Sequence, residues 1–177
     1  MTLAELIRTR RTIGAFTEQP VSRDLITDLL ETAIFAPNHK MTEPWRFVIA
    51  DGDACGDYAN LRRELAGEIG KDPDKEYKKY ASVPCFVFVL MKQTEHAHTR
   101  EEDYAATSSL IQNFMLLAWE QGLGTAWKTW PDDARLRQFL NMNERETVVG
   151  VIHTGYPAEE RQTPRRKSAQ SLITYVG

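Results

Sequence analysis

The segment from about Tyr104 to Gln121 constrains the fold more than any other. Its residues Leu110, Ile111, Phe114, Met115, Leu116, Leu117, Ala118 and Trp119 occupy more than one face of a predicted helix. A helix that is apolar nearly all round has no solvated face and belongs in the middle of a structure. Cys85 to Met91 makes a matching demand. It is apolar without alternation, the pattern of a central strand covered on both faces. With 177 residues, a single domain can bury both.

Local signals arrange the rest around these two elements. Thr2 and Glu5 form a capping box, and Leu3, Leu6 and Ile7 share one face of a short helix ending near Arg8, Arg10 and Arg11. A second helix starts near Ser22 and buries Leu25, Ile26, Leu29, Leu30, Ala33 and Ile34. It stops by Ala36, because Pro37 disfavours helical geometry in the residue before it. Asn38 to Pro44 is a polar loop feeding a strand from Trp45 to Ala50. Tyr58, Leu61, Leu65 and Ile69 mark a third helix, after which Lys71 to Lys79 reads as a solvated segment and Thr94 to Asp103 as a polar connection. Gly122 and Gly124 end the central helix, and Thr125 to Lys128 is a short strand. Asp132 caps a brief helix carrying Leu136, Phe139 and Leu140, and Val148 to Thr154 is the last strand. Strands separated by helices indicate α/β or α+β organisation. The polar tail, 158–177, ends in Leu172, Ile173, Tyr175 and Val176. Such an apolar end needs a surface to dock on, which a second subunit would supply.

Several function classes are disfavoured. A net charge of −3 argues against general binding of nucleic acid or anionic membranes, which requires a basic surface. No apolar run approaches the roughly 18 residues of a membrane span, and the N-terminus lacks a signal-peptide core. Cys55 and Cys85 form no CxxC pair, so a reduced, cytoplasmic setting is expected. The nucleophile elbow GxSxG and the zinc motif HExxH are absent. Gly122-Leu123-Gly124 follows a helix and precedes a strand, the reverse of a dinucleotide-binding turn, and reads as a helix cap. His96 and His98, flanked by Glu95 and Glu101, lack a second ligand pair, and no metal is expected. His153 reads as a satisfied core or edge histidine.

Two basic clusters remain. Arg8, Arg10 and Arg11 lie at one end of the chain, and Arg161, Arg165, Arg166 and Lys167 at the other. They are either two solvated charge runs or two halves of one phosphate site, where arginine forks bind an anion bidentately. The Thr12 hydroxyl beside the arginines tilts the balance toward phosphate.

Four segments together resemble the nitroreductase family in order and spacing. They are Arg10-Arg11-Thr12-Ile13, Glu31 to Phe47, Gly122 to Trp127, and the tail from Arg166 to Tyr175. Ala36-Pro37-Asn38-His39-Lys40 is similar to the compact, single-domain branch. The resemblance implies one FMN-binding domain over 1–177 with an α+β fold. That fold is a three-layer sandwich with a mixed sheet wrapped by helices, assembled as an intertwined homodimer whose tail, 158–177, docks on the partner. It implies that Arg10, Arg11, Thr12 and Arg166 hold the FMN phosphate and ribityl chain, and that His39 reaches the flavin of the partner subunit. Trp127, Lys128, Thr129 and Trp130 would present backbone to the flavin ring, with the Thr129 amide donating to N5. Phe35 and Trp130 would line the substrate pocket, with Trp45 either joining them or belonging to the core. No catalytic side chain is implied, since flavin carries the electron and hydride chemistry while the protein supplies position and electrostatics. The implied activity is ping-pong, two-electron reduction of nitro compounds, quinones or similar small-molecule acceptors by NADH or NADPH. An FMN-dependent oxidase or dehydrogenase that does not use NAD(P)H, or a flavin-binding protein without turnover, fits the same residues. Gly14, Met41, Glu43, Trp130 and Pro131 depart from the family pattern, and these departures bear on redox potential and substrate.

Overall fold

A computed structural model describes every residue except Trp130, Pro131, Asp132, Arg161 and Pro164. Among these described residues four strands form one sheet: β1 (Trp45–Asp51), β2 (Cys85–Lys92), β3 (Gly124–Lys128) and β4 (Glu146–Gly155), in the spatial order β1-β2-β4-β3. All strand pairs are antiparallel, and a parallel component enters through an isolated bridge between Thr12 and Thr125. β2 lies between β1 and β4, and Cys85 to Met91 are buried throughout. Its unbroken apolar pattern follows from helices covering both faces of the sheet.

One face is covered by α5 (Ala97–Glu120) and α2 (Arg23–Ala33), with α1 (Leu3–Thr9) packed on α5. There Val87, Val89, Ile111, Phe114 and Leu30 share a core cluster. The other face packs against α3 (Asp53–Glu68), α4 (Pro73–Ala81) and α6 (Ala134–Phe139), around Tyr58, Phe86, Phe88 and Leu136. The result is the expected α+β sandwich of three layers. Tyr58 meets Phe86 and Phe88 edge-on, with centroids 4.8 and 5.0 Å away, an arrangement that aromatic quadrupoles favour. Gly150 is required by packing. A Cβ there would lie 2.6 Å from the Trp127 indole nitrogen, so β4 carries no side chain where Trp127 crosses it.

Helix boundaries follow the expected chemistry with instructive exceptions. The Thr2–Glu5 capping box is formed and Ser22 caps α2. Gly122 leaves α5 at φ 78°, a conformation that costs glycine little. The charged segment Lys71 to Lys79 is largely exposed, as expected, but it is not an irregular connection: most of it lies in α4. Asp72 caps that helix, Pro73 occupies its first turn, and Tyr80 is buried. Glu76 also accepts from the buried Arg62 at 3.1 Å, and the Arg62 guanidinium stands 4.3 Å from the Tyr80 ring centroid. α5 begins at Ala97 rather than near Tyr104, so its polar first turns project beyond the buried stretch. The cap of α6 is Asp133; Asp132 lies outside the described residues.

His153 departs from its expected state. It is 4 % exposed, edge-on to Tyr80 and Phe86, and its Nε2 has no hydrogen-bond partner among the described residues. Burial, reinforced by the charges of Lys128, Lys79 and Arg62, pushes its pKa down to about 3. A pure sequence signal reports that a position is buried, but not whether each nitrogen finds a partner.

Candidate functional site

β3 is an edge strand, and among the described residues its outer side pairs with other chain only at its start. There Thr12 bridges to Thr125, and the Ile13 amide donates to the Thr125 carbonyl at 3.0 Å. Phe16 bridges antiparallel to Pro157, the Thr17 amide donates to Tyr156 and the Ala158 amide to Ala15. The tail therefore retraces the N-terminal segment in the opposite direction. This brings Arg166 of the tail cluster to Arg10, from opposite ends of the sequence.

Arg11 holds that junction. Its Nε donates to the Gln162 carbonyl at 3.2 Å, Nη1 to the Arg10 carbonyl at 2.5 Å, and Nη2 to the Thr163 hydroxyl. It is 8 % exposed, so its side chain works as a strut between the ends of the chain. Arg10 is half-buried and differently engaged. Burial holds its guanidinium below the ordinary value, and the charges of Arg11 and Arg166 push the same way. Among the described residues, no carboxylate pairs with Arg10, Arg11 or Arg166. Three clustered cations without a counter-ion repel one another, an arrangement typical of sites that receive an anion. A phosphate dianion matches both the charge and the fork geometry of arginine. Thr12 is exposed beside them, free at its side chain to face the same ligand.

From Thr125 the edge continues through Trp127, Lys128 and Thr129, four residues or about 13 Å at the usual strand rise. The Trp127 ring turns inward, its indole N–H donating to the Val149 carbonyl at 3.2 Å. What Trp127 can offer a ligand on the outer edge is therefore backbone. Lys128 and Thr129 are exposed. Trp130, expected both at the flavin and in the substrate pocket, lies outside the described residues. Trp45 packs partly buried against the core, while Phe35 is 86 % exposed, so one protomer does not enclose it.

His39 lies elsewhere. Its loop forms a short 3-10 turn, His39–Met41, anchored where the Thr42 hydroxyl donates to Asp103 at 2.7 Å. His39 Nδ1 stands 3.9 Å from Glu102, which also pairs with His98 at 3.4 Å. Lys40, Met41 and Glu43 all adopt positive φ, at 52°, 53° and 41°. Such strain costs of order 1 kcal/mol or more per residue and concentrates at functional loops. At the other end of α5, the Trp119 indole donates to the Thr9 hydroxyl at 3.1 Å, next to Arg10. Asp103 and Trp119 are separated by about 24 Å of helix. Within one protomer, His39 and the arginine cluster therefore stand at opposite ends of α5.

No group of histidine, cysteine and acidic residues suited to a metal occurs among the described residues, and no described helix is long and apolar enough to cross a membrane. Sequence reading did not anticipate the strained loop or the strut role of Arg11. The first has no compositional signature, and the second depends on where the tail runs.

A model of the nitroreductase family matches residues 7–156. YfhC of Bacillus subtilis (strain 168), which is named for NAD(P)H nitroreductase activity, is 38% identical, the match covering 97% of this chain and 93% of YfhC. Among solved structures, a nitroreductase-like family protein from Bacillus cereus superposes with a TM-score of 0.88 at 30% identity, over 99% of this chain and 96% of that one. NfnB from Sphigopyxis sp. strain HMH, described as an FMN and NADPH-dependent nitroreductase, superposes with a TM-score of 0.80 at 19% identity and full coverage of both chains.

Proposed function

The chain belongs to the nitroreductase family, and from that premise we propose that it is an FMN-dependent oxidoreductase fed by NADH or NADPH, reducing small acceptors such as nitro compounds or quinones. The observation that carries this reading is the convergence of Arg10, Arg11 and Arg166 at the start of edge strand β3 with no counter-anion among the described residues. Arg10 and Arg166 would hold the FMN phosphate, with Arg11 fixing the tail that delivers Arg166 and Thr12 adding a hydroxyl. The free edge from Trp127 to Thr129 runs away from that cluster and offers backbone groups to the ring, the Thr129 amide among them. FMN, when bound, supplies hydride and electron transfer between the nicotinamide and the acceptor. The protein's task is to hold a dianion with guanidinium groups, orient a ring along a strand edge and shield the reacting face.

The same geometry supports a homodimer. In one copy, His39 and Arg10 lie a helix length apart, so His39 can serve a flavin only across an interface. A two-fold pairing with α5 antiparallel to its copy would set one copy's His39 end beside the other's arginine end, an isologous contact. Leu172, Ile173, Tyr175 and Val176 are 51–99% exposed in the protomer and would be covered by the partner. Cys55 and Cys85 are free and buried, which suits the cytoplasm.

The purified protein should be yellow, and heat should release about one FMN per chain rather than FAD. The flavin absorbance should bleach on anaerobic addition of NADH or NADPH and return with a quinone. A flavin bleached by no nicotinamide would refute the NAD(P)H reading, and a colourless protein that ignores added FMN would refute the whole assignment. Deleting the chain after Glu159 should abolish both the dimer, by sedimentation, and the bound flavin, because tail and cofactor share the interface. A truncated chain that stays dimeric and yellow refutes the docking role of the tail.

A further inference from the structure

A cavity of about 730 Å³, within the usual range for ligand sites, opens at the end of the sheet where β1 and β4 begin and β2 ends. Its lining includes Thr42, Lys92, Glu95, Arg100, Glu144 and Arg145. It lies well away from the arginine cluster of its own protomer, but Thr42 belongs to the loop that carries His39. If that loop faces the partner's flavin, as proposed above, this cavity opens beside the partner's flavin too, and the inference rests on that reading.

The lining carries charges of both signs, and Lys92, Glu95, Arg100, Glu144 and Arg145 are exposed. The side chains of Lys92, Arg100 and Arg145 have no hydrogen-bond or ion-pair partner among the described residues, and neither do those of Glu95 and Glu144. Asp103, the remaining carboxylate, is buried and accepts from Thr42. A simple anion would gain little in a lining of three cations and three carboxylates. A ligand that alternates phosphate with sugar hydroxyls fits better, since guanidinium and ammonium groups bind the phosphates and carboxylates accept from ribose hydroxyls. The chain also lacks a glycine-rich dinucleotide turn, so a nicotinamide dinucleotide has to be held by side chains. We propose that this cavity binds the diphosphate and ribose portion of NAD(P)H, with Lys92, Arg100 and Arg145 on the phosphates and Glu95 and Glu144 on the riboses. The nicotinamide then extends past the His39 loop toward the partner's flavin.

The test uses the flavin-loaded protein and three probes. NADPH (or NADH) carries the whole donor. Reduced nicotinamide riboside carries the hydride without phosphate or adenylate. The redox-inert tetrahydro analogue of NADPH reports binding alone, by calorimetry. Arg100→Ala and Arg145→Ala should each raise the NADPH concentration for half-maximal flavin reduction about tenfold, the scale of one lost charged hydrogen bond. The tetrahydro analogue should weaken by the same factor. Flavin content, the limiting reduction rate and the response to the riboside should not change. Variants that treat NADPH as the wild type does, or that lose NADPH and riboside equally, overturn this site while leaving the proposed activity intact. A wild-type flavin that no nicotinamide reduces overturns both.

Discussion

Arg10→Ala and Arg166→Ala should each weaken FMN roughly 10- to 100-fold while leaving riboflavin binding nearly unchanged. A hydrogen bond to a charged group contributes about 1.5–3 kcal/mol, and the two ligands differ only in the phosphate. Because both guanidinium groups would address one phosphate, the double variant should lose less than the product of the single losses. Removing Arg10 also relieves its repulsion with Arg11 and Arg166. The ligand-free protein should therefore melt no lower than the wild type, even though its affinity for FMN falls. Arg11→Ala provides the contrast. It cuts the bonds to Gln162 and Thr163 that seat the tail, so FMN and riboflavin should suffer together. Fluorescence titration of both flavins against each apoprotein checks the set. Equal losses of FMN and riboflavin in the Arg10 and Arg166 variants would mean that these residues hold the fold and not the phosphate.

Acidification should destabilise the protein well above the range where its carboxylates titrate. His153 has a folded pKa of about 3 against an ordinary 6.5, so between these values the unfolded chain binds a proton that the native one does not. Stability from this group is complete above pH 6.5 and falls as pH drops toward 3. At pH 5 the loss is about 2 kcal/mol, which for a chain of this size lowers Tm by roughly 4–8 °C. Asp51, Glu76 and Glu146 have depressed pKa values, through Arg23, through Arg62 with Lys79, and through Arg46 respectively. Their stabilising contributions are present above the ordinary carboxylate range and are lost only below it, so the two effects separate along the pH axis. His153→Phe keeps an aromatic ring between Tyr80 and Phe86 but removes the titrating, unpartnered nitrogen. Its Tm should stay nearly flat from pH 7 to 5. A wild-type Tm that is equally flat over this interval would show that His153 takes up its proton in the native state.

The sequence alone determined much about this protein. The burial of β2 was legible because apolar residues without a polar face can only be satisfied inside, whereas α5 buries Leu110, Ile111, Phe114, Met115 and Ala118 but leaves Leu116, Leu117 and Trp119 only partly covered in the protomer. The Thr2–Glu5 and Ser22 caps, and the turn at Gly122, were legible because each is settled by groups a few residues apart. The family motifs were legible for the same reason, being short and in order. Periodicity, however, carries no information about charge. Nothing in the charges of Lys71 to Lys79 reveals that this exposed segment is a helix pinned by Tyr80 and by Glu76 on a buried arginine. Nothing local separates a charge run from a phosphate site either. Only the tertiary structure decided that the tail runs back along Ala15 to Thr17, placing Arg166 beside Arg10 and tying Arg11 to Gln162 and Thr163. It also decided that His39 stands a helix length from those arginines, because long-range placement depends on how α5 spans the domain and not on the residues around either end.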